Sequence, residues 1–357
     1  VTTAYVNRIA TSLPPFEVHG AFIEFARSLL ADRPRVAAIF ERMADKAQIE
    51  RRYSSLQPST DPGGQSVDAG GFYTRGRFPG TGARMARYEE AARPLAIQAV
   101  EGLGLSSGGL SRISHVVVTS CTGFSAPGID LQIVEALGLD RSVERTMVGF
   151  MGCFAALNAL KLARHIVRSE PRSHVLVINI ELCTLHLQET RSLEPVLSFL
   201  LFGDGCAASL VTAEPRGIGL DRFRTVVSPG TGDLITWRVR DTGFDMLLSG
   251  KVPGAVGDAL RAEADAILDG AKTTDIELWA VHPGGRSVLD AAETALGLDP
   301  RALDISREVL RDHGNLSSAT IMCVLKAMLE RGRSGAAGCG LAFGPGLTAE
   351  SLLFHLA

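Results

Sequence analysis

A chain of 357 residues, 46% of them hydrophobic, is long enough to bury a large core, as one big domain or two of ordinary size. Its formal net charge of -3 excludes the strong positive field that nucleic acid or an anionic membrane would require. No run reaches the roughly 18 apolar residues that span a bilayer, and residues 1–10 lack the charged-then-apolar order of a signal peptide, so a cytoplasmic protein is expected.

Residues 20–53 carry apolar positions at three- and four-residue spacing, which predicts helix. Basic residues gather there, at Arg42–Lys46 and at Arg51–Arg52. Residues 58–71 (PSTDPGGQSVDAGG) are polar and glycine-rich, which predicts a loop. Residues 84–103 are helical in pattern again. Beyond them, short β-branched runs at 115–120 (HVVVTS), 174–182 (HVLVINIEL) and 205–213 (GCAASLVTA) alternate with helix-length amphipathic segments. That is the pattern of a largely buried mixed sheet between helices. Residues 213–217 (AEPRG) are the best linker and divide 1–213 from 214–357. Cysteines stand at 121, 153, 183, 206, 323 and 339 with no C-x-x-C pair. Reduced thiols are predicted, buried as small hydrophobes apart from Cys153.

A faint internal repeat organises the chain. HVVVTSCTGFSAPGIDLQIVEALGLD ends at Ala136-Leu137-Gly138-Leu139-Asp140, and LWAVHPGGRSVLDAAETALGLD ends at Ala295-Leu296-Gly297-Leu298-Asp299. Each runs from a strand through a Gly/Pro turn into a helix. A second apolar helix follows each, opened by Gly152-Cys153 in one case and Gly314-Asn315 in the other. An internally duplicated α/β unit with a site at its seam is the inference.

Three residues would meet at that seam. A thiol at a helix N-terminus, as predicted for Cys153, gains from unpaired N–H groups and the helix dipole. Its apolar flanks would raise its pKa, so a cationic partner is needed, and His282 at a strand end is the candidate for a thiolate–imidazolium pair. Asn315 offers amide N–H groups that stabilise an oxyanion. Taken singly, each has a bland reading: a buried structural Cys, a satisfied core His, a helix N-cap. Together they suit acyl transfer and a decarboxylative condensation, in which loss of CO2 makes the carbanion. The same residue types also serve hydrolysis in papain-like proteases.

Seven segments decide between the two: RMADKAQIERRY (42–53), TSCTGFSAPGIDLQI (119–133), GFMGCFAALNALKLA (149–163), LFGDGCAASLV (201–211), HPGG (282–285), GNLSSAT (314–320) and AFGPGLTAES (342–351). Across nearly its whole length the chain resembles the chalcone/stilbene synthase family, the type III polyketide synthases. The resemblance implies a thiolase fold, an internally duplicated αβαβα sandwich. It implies Cys153 as the acyl-bearing nucleophile with His282 and Asn315, Phe202 as a gate, and Arg42 and Lys46 on the coenzyme A phosphates. It implies Ser317 lining the cavity and Gly344-Pro345-Gly346 scaffolding it. The substrates would be acyl-CoA and malonyl-CoA, with no cofactor, in a homodimer. Cys183 and His186 form a C-x-x-H spacing but lack two further metal ligands, so no metal is expected.

Departures from the plant pattern bear on product. Ile39 replaces a third coenzyme-A-binding Lys and Met246 a second gatekeeper Phe. Trp237 stands where a cavity Gly is usual, and Cys121, Cys183 and His186 stand for three cavity threonines. Ala126 replaces a Met that reaches across the dimer, and Ala342 the first Gly of GFGPG. The sequence resembles the bacterial type, which implies resorcinols, pyrones or hydroxynaphthalenes as products; of these, alkylresorcinols or alkylpyrones from fatty-acyl starters are expected. A chalcone-like or hydroxynaphthalene product, or a condensing enzyme of the ketoacyl-carrier-protein synthase III kind, is the alternative.

Overall fold

Alternation along the strands builds the layers. The computed structural model describes residues 2–357. In strand His115–Ser120, Val116 and Val118 face one core while Val117 faces another; in strand Val175–Leu182, Leu176 and Ile178 oppose Val175 and Val177. Every residue of both strands is buried, as a sheet covered on both faces requires.

The nine-stranded sheet runs Leu278–Val281, Ala337–Gly344, Thr348–Leu356, Ile218–Val227, Tyr5–Ser12, Asp204–Thr212, Val175–Leu182, His115–Ser120, Glu144–Gly149. From its centre the pattern is similar in both directions, two antiparallel pairs and then parallel pairing, with two parallel pairs on one side and one on the other. Within the sheet the halves pair at Tyr5↔Gly219 and Val6↔Ile218. The inner core unites helices Ala155–Ser169 and Ser318–Arg331 with residues from both sheet halves. Helices Thr81–Glu101 and Ile129–Ala136 cover one outer face, and Val252–Ile267 and Arg286–Leu296 the other. Five layers result, helix–sheet–helix–sheet–helix. The repeated string marks two equivalent helix ends: Gly138 (φ +59°) and Gly297 (φ +62°) both take the left-handed conformation that stops a helix.

Residues 20–53, read as helical, form two helices, His19–Leu30 and Pro34–Ala47. Pro34 lacks an N–H and so starts the second. A hairpin, Ile235–Arg240 with Gly243–Leu248, packs beside the inner layers. Among the described residues, no helix is long and apolar enough to cross a membrane.

Candidate active site

Strand Glu144–Gly149 ends in a tight turn that delivers Cys153. Phe150 (φ +58°) and Gly152 (φ +83°) both have positive φ. A Cβ on Gly152 would stand 2.3 Å from Pro345 Cδ, so only glycine fits there. Gly344 and Pro345 thus pack directly against the cysteine turn, with Gly346 beyond them. Cys153 precedes Phe154, the N-cap of helix Ala155–Ser169, and so sits one residue outside the helix.

Asn315 ties the site together. Its Oδ1 accepts from Ser317 N–H at 2.8 Å and Thr320 Oγ1 at 3.2 Å, which caps the start of helix Ser318–Arg331. Its Nδ2 donates to Gly284 O at 3.3 Å, two residues past His282. The Asn315 and Ser317 side chains lie close enough to the Cys153 thiol to favour its ionised form. Ser317 itself is held at φ +49°, a strain of order 1–3 kcal/mol of the kind found at functional sites. His282 ends strand Leu278–Val281 and is buried, and among the described residues neither ring nitrogen has a partner. A buried unpaired polar group costs about 1–3 kcal/mol, so two on one ring mark a side chain kept ready for a ligand.

Burial dominates the electrostatics of both Cys153 and His282. Burial pushes the Cys153 thiol up to about 12, against the opposing influence of Ser317 and Asn315, and the nearby Glu181 carboxyl adds to the rise. Burial alone holds His282 down at about 3. Burial thus favours the uncharged form of each group. The helix dipole acts weakly on a residue outside the first turn. Below the thiol, Glu181 accepts from Ser318 Oγ at 2.6 Å and from Cys121 N–H and Thr122 Oγ1 at 2.9 Å each. Burial outweighs these bonds and raises its carboxyl to about 7. Sequence reasoning passed over Glu181; its one signal was a lone acid in the apolar strand HVLVINIEL.

Cys153 opens on a cavity of about 30 Å³ lined by Cys121, Cys183, Trp237, Met246, Ser317 and Pro345 among others. Trp237 roofs it, its Nε1 donating to Cys121 O at 2.6 Å, while Gly152 N–H donates to Cys121 Sγ at 3.0 Å. Cys183 also lines a second, apolar cavity of about 60 Å³, on whose wall Phe202 stands. Phe202 lies against Asn315 in a β-bridge. An open groove of about 860 Å³ runs from Lys46 to Leu201, Gly284 and Arg286, reaching the turn after His282.

Two expected cavity or ligand residues stand elsewhere. His186 does not line the cavity: its Nε2 bonds Thr122 O at 2.7 Å, its Nδ1 accepts Phe244 N–H at 3.0 Å, and its ring stacks on Phe244. With both nitrogens engaged and burial holding it neutral at about 3, it is a core residue. Arg42 is exposed and outside the wall of the groove that Lys46 lines. It lies one turn earlier on helix Pro34–Ala47.

Family models for the chalcone and stilbene synthases match both halves, the N-terminal domain over residues 9–215 and the C-terminal domain over 222–357. The alpha-pyrone synthesis polyketide synthase-like Pks18 of Mycobacterium tuberculosis is 34% identical, covering 99% of this chain and 92% of the relative. Bisdemethoxycurcumin synthase of Oryza sativa is 33% identical over 88% of this chain and 82% of its own. Among solved structures, 1,3,6,8-tetrahydroxynaphthalene synthase from Streptomyces coelicolor superposes with a TM-score of 0.86 at 28% identity, covering 99% of both chains. The type III domain of Steely1 from Dictyostelium gives a TM-score of 0.89 over 99% of both, at 24% identity. The chain therefore belongs to the chalcone and stilbene synthase family and is a type III polyketide synthase, an acyltransferase that condenses malonyl-CoA units onto an acyl-CoA starter.

Proposed function

We propose that Cys153 carries the growing chain while His282 and Asn315 act on the malonyl extender. The thiol proton passes to His282 as sulfur attacks the starter thioester. The carbon–sulfur bond to coenzyme A breaks, and the proton leaves on its thiol. Malonyl-CoA then meets N–H donors from Asn315 and His282. Its carboxyl C–C bond breaks, CO2 departs, and the electron pair forms an enolate whose oxygen the donors stabilise. The enolate carbon attacks the acyl-Cys153 carbonyl, forming the new C–C bond and releasing the thiolate. The observation that carries this reading is the Asn315 carboxamide, tied back through Oδ1 and donating from Nδ2 into the His282 turn, beside the Cys153 thiol.

The proposed starter is an aliphatic acyl chain and the product an alkylpyrone or alkylresorcinol. A reaction cavity of about 30 Å³ under Trp237 favours few extensions. The apolar cavity beyond Cys183 suits the first carbons of an aliphatic tail, and a relative at 34% identity is named for alpha-pyrone synthesis. Coenzyme A would lie in the large groove with Lys46 as its nearer cation and Arg42 a distant one. Residues 1–213 and 214–357 would be the two thiolase-like halves, which the mirrored strand order supports. A second copy would cover edge strand Glu144–Gly149, where Met147, Met151 and Phe124 are 38%, 40% and 47% exposed. A cytoplasmic site of action fits coenzyme A thioesters and six free thiols.

Mass spectrometry of protein and products, across a panel of acyl-CoA starters with malonyl-CoA, tests the reading. Aliphatic starters should give pyrones or resorcinols and an acyl adduct on Cys153. Asn315→Ala should keep the adduct and lose CO2 release by about 100-fold. Equal loss of both steps removes the division of labour. Chalcone-type or hydroxynaphthalene products, or a requirement for malonyl-carrier-protein, overturn the substrate assignment.

A further inference from the structure

We propose that Arg52 is a positioning residue for the condensation, holding the backbone of the Phe202 gate and, through it, the Asn315 carboxamide. The proposal rests on the reading that Asn315 acts on the malonyl unit.

Helix Leu193–Leu201 ends at Phe202, and its last carbonyls have no partners within the helix. Arg52 supplies them. Its Nη1 donates to Phe199 O at 2.9 Å and to Phe202 O at 2.6 Å. A cation at a helix C-terminus also meets the favourable end of the helix dipole. Asn315 holds the same segment from the other side: Asn315 N–H donates to Leu201 O at 2.8 Å and Gly203 N–H donates to Asn315 O at 3.0 Å. Phe202 is thus bracketed between Arg52 and Asn315. The fit is tight. A Cβ on Gly314 would come within 2.7 Å of both Arg52 Cγ and Leu201 O, so the Arg52 stem packs directly under the residue preceding Asn315. Arg52 is only 2% exposed, lies over the Phe22 ring, and donates from Nε to His19 Nδ1 at 2.9 Å. The guanidinium therefore ties together two chain segments while its stem packs under a third, a task that an ammonium does not match.

Arg52→Lys keeps the charge and removes the fork. Enzyme quantified by active-site titration should release CO2 from malonyl-CoA about 10- to 100-fold more slowly, since a misplacement of about 1 Å carries that penalty. The KM for malonyl-CoA should stay within about threefold, and Cys153 acylation should fall far less than CO2 release. In Arg52→Ala, millimolar ethylguanidinium should restore part of the CO2 release and ethylammonium should not. Equal loss in both steps, an unchanged CO2 rate, or no rescue specific to guanidinium overturns the proposal. Where neither Arg52 variant is recovered folded, His19→Ala, which removes only the Nε acceptor, carries the test. The same split to a smaller degree supports the proposal, and its absence overturns it. If Asn315→Ala loses CO2 release and Arg52→Lys does not, only this inference falls. If Asn315→Ala retains CO2 release, the catalytic reading falls with it.

Discussion

His186 illustrates how one residue's chemistry depends on which neighbours reach it first. Position in a motif makes it a cavity candidate, but backbone groups on both sides take its nitrogens, Thr122 O on one and Phe244 N–H on the other. That fixes the Nε2-protonated tautomer. His186→Phe would keep a ring over Phe244 yet leave both backbone groups buried and unpaired, at about 1–3 kcal/mol each. The expected result is a loss of about 2–4 kcal/mol in urea unfolding with starter preference unchanged in the folded enzyme. A variant of full stability and altered starter preference would return His186 to the cavity. The catalytic candidates behave oppositely: His282 keeps both nitrogens unpaired in an equally buried place. Burial is common to both residues, and the partners separate them. No sequence pattern distinguishes a satisfied imidazole from an unsatisfied one.

At the scale of elements, the hairpin Ile235–Leu248 sets the room for chemistry. It pairs Trp237 directly with Met246, and both line the cavity around Cys153. Met246→Phe should lower kcat/KM for longer acyl starters about tenfold relative to shorter ones, the effect of roughly one methylene of lost space. Trp237→Gly should act the other way and add extension cycles. Chain-length profiles by mass spectrometry check both, and profiles indifferent to either change would take the hairpin out of specificity. The hairpin was hard to read because its strands are half exposed and show no clean alternation. Strand Tyr5–Ser12 hid for another reason: Asn7 and Arg8 interrupt its apolar pattern. They bond instead to the carbonyls of Glu214, Arg216, Leu103 and Gly104. The fully buried strands His115–Ser120 and Val175–Leu182 were legible because each carries an unbroken run of branched apolar residues, Val116–Val118 and Val175–Ile178.

At the scale of the molecule, the duplication was legible in a five-residue string, since both copies end a helix on a left-handed glycine. The protonation state at the seam was not, because it depends on how five layers exclude water. The same exclusion governs the response to pH. All six cysteines are buried enough to raise their thiols: Cys153 and Cys323 to about 12, and Cys121, Cys183, Cys206 and Cys339 upward as well, each with burial as the main cause. An acid whose pKa is raised in the folded chain lends stability fully below its unfolded pKa and loses it as pH rises toward the folded value. The unfolded chain releases these protons near pH 9, the folded chain far later, so stability should fall steeply from about pH 8.5 upward. Each thiol contributes a limiting slope of about 1.4 kcal/mol per pH unit, and the sum over the buried thiols should reach several kcal/mol by pH 10. The acid side should be shallower. There the buried His186 and His282, held near 3, lose stability as pH falls below 6.5. Glu181 and Asp204, raised to about 7 and about 6, change with the opposite sign over much of that range. Urea midpoints measured under strong reductant from pH 5 to 10 should therefore show a broad acid shoulder and a sharp alkaline decline. Cys339→Val, remote from the reaction cavity, should flatten that decline by about one proton. A flat alkaline limb would mean that the thiols reach water, and the dry seam between the two halves would not survive that result.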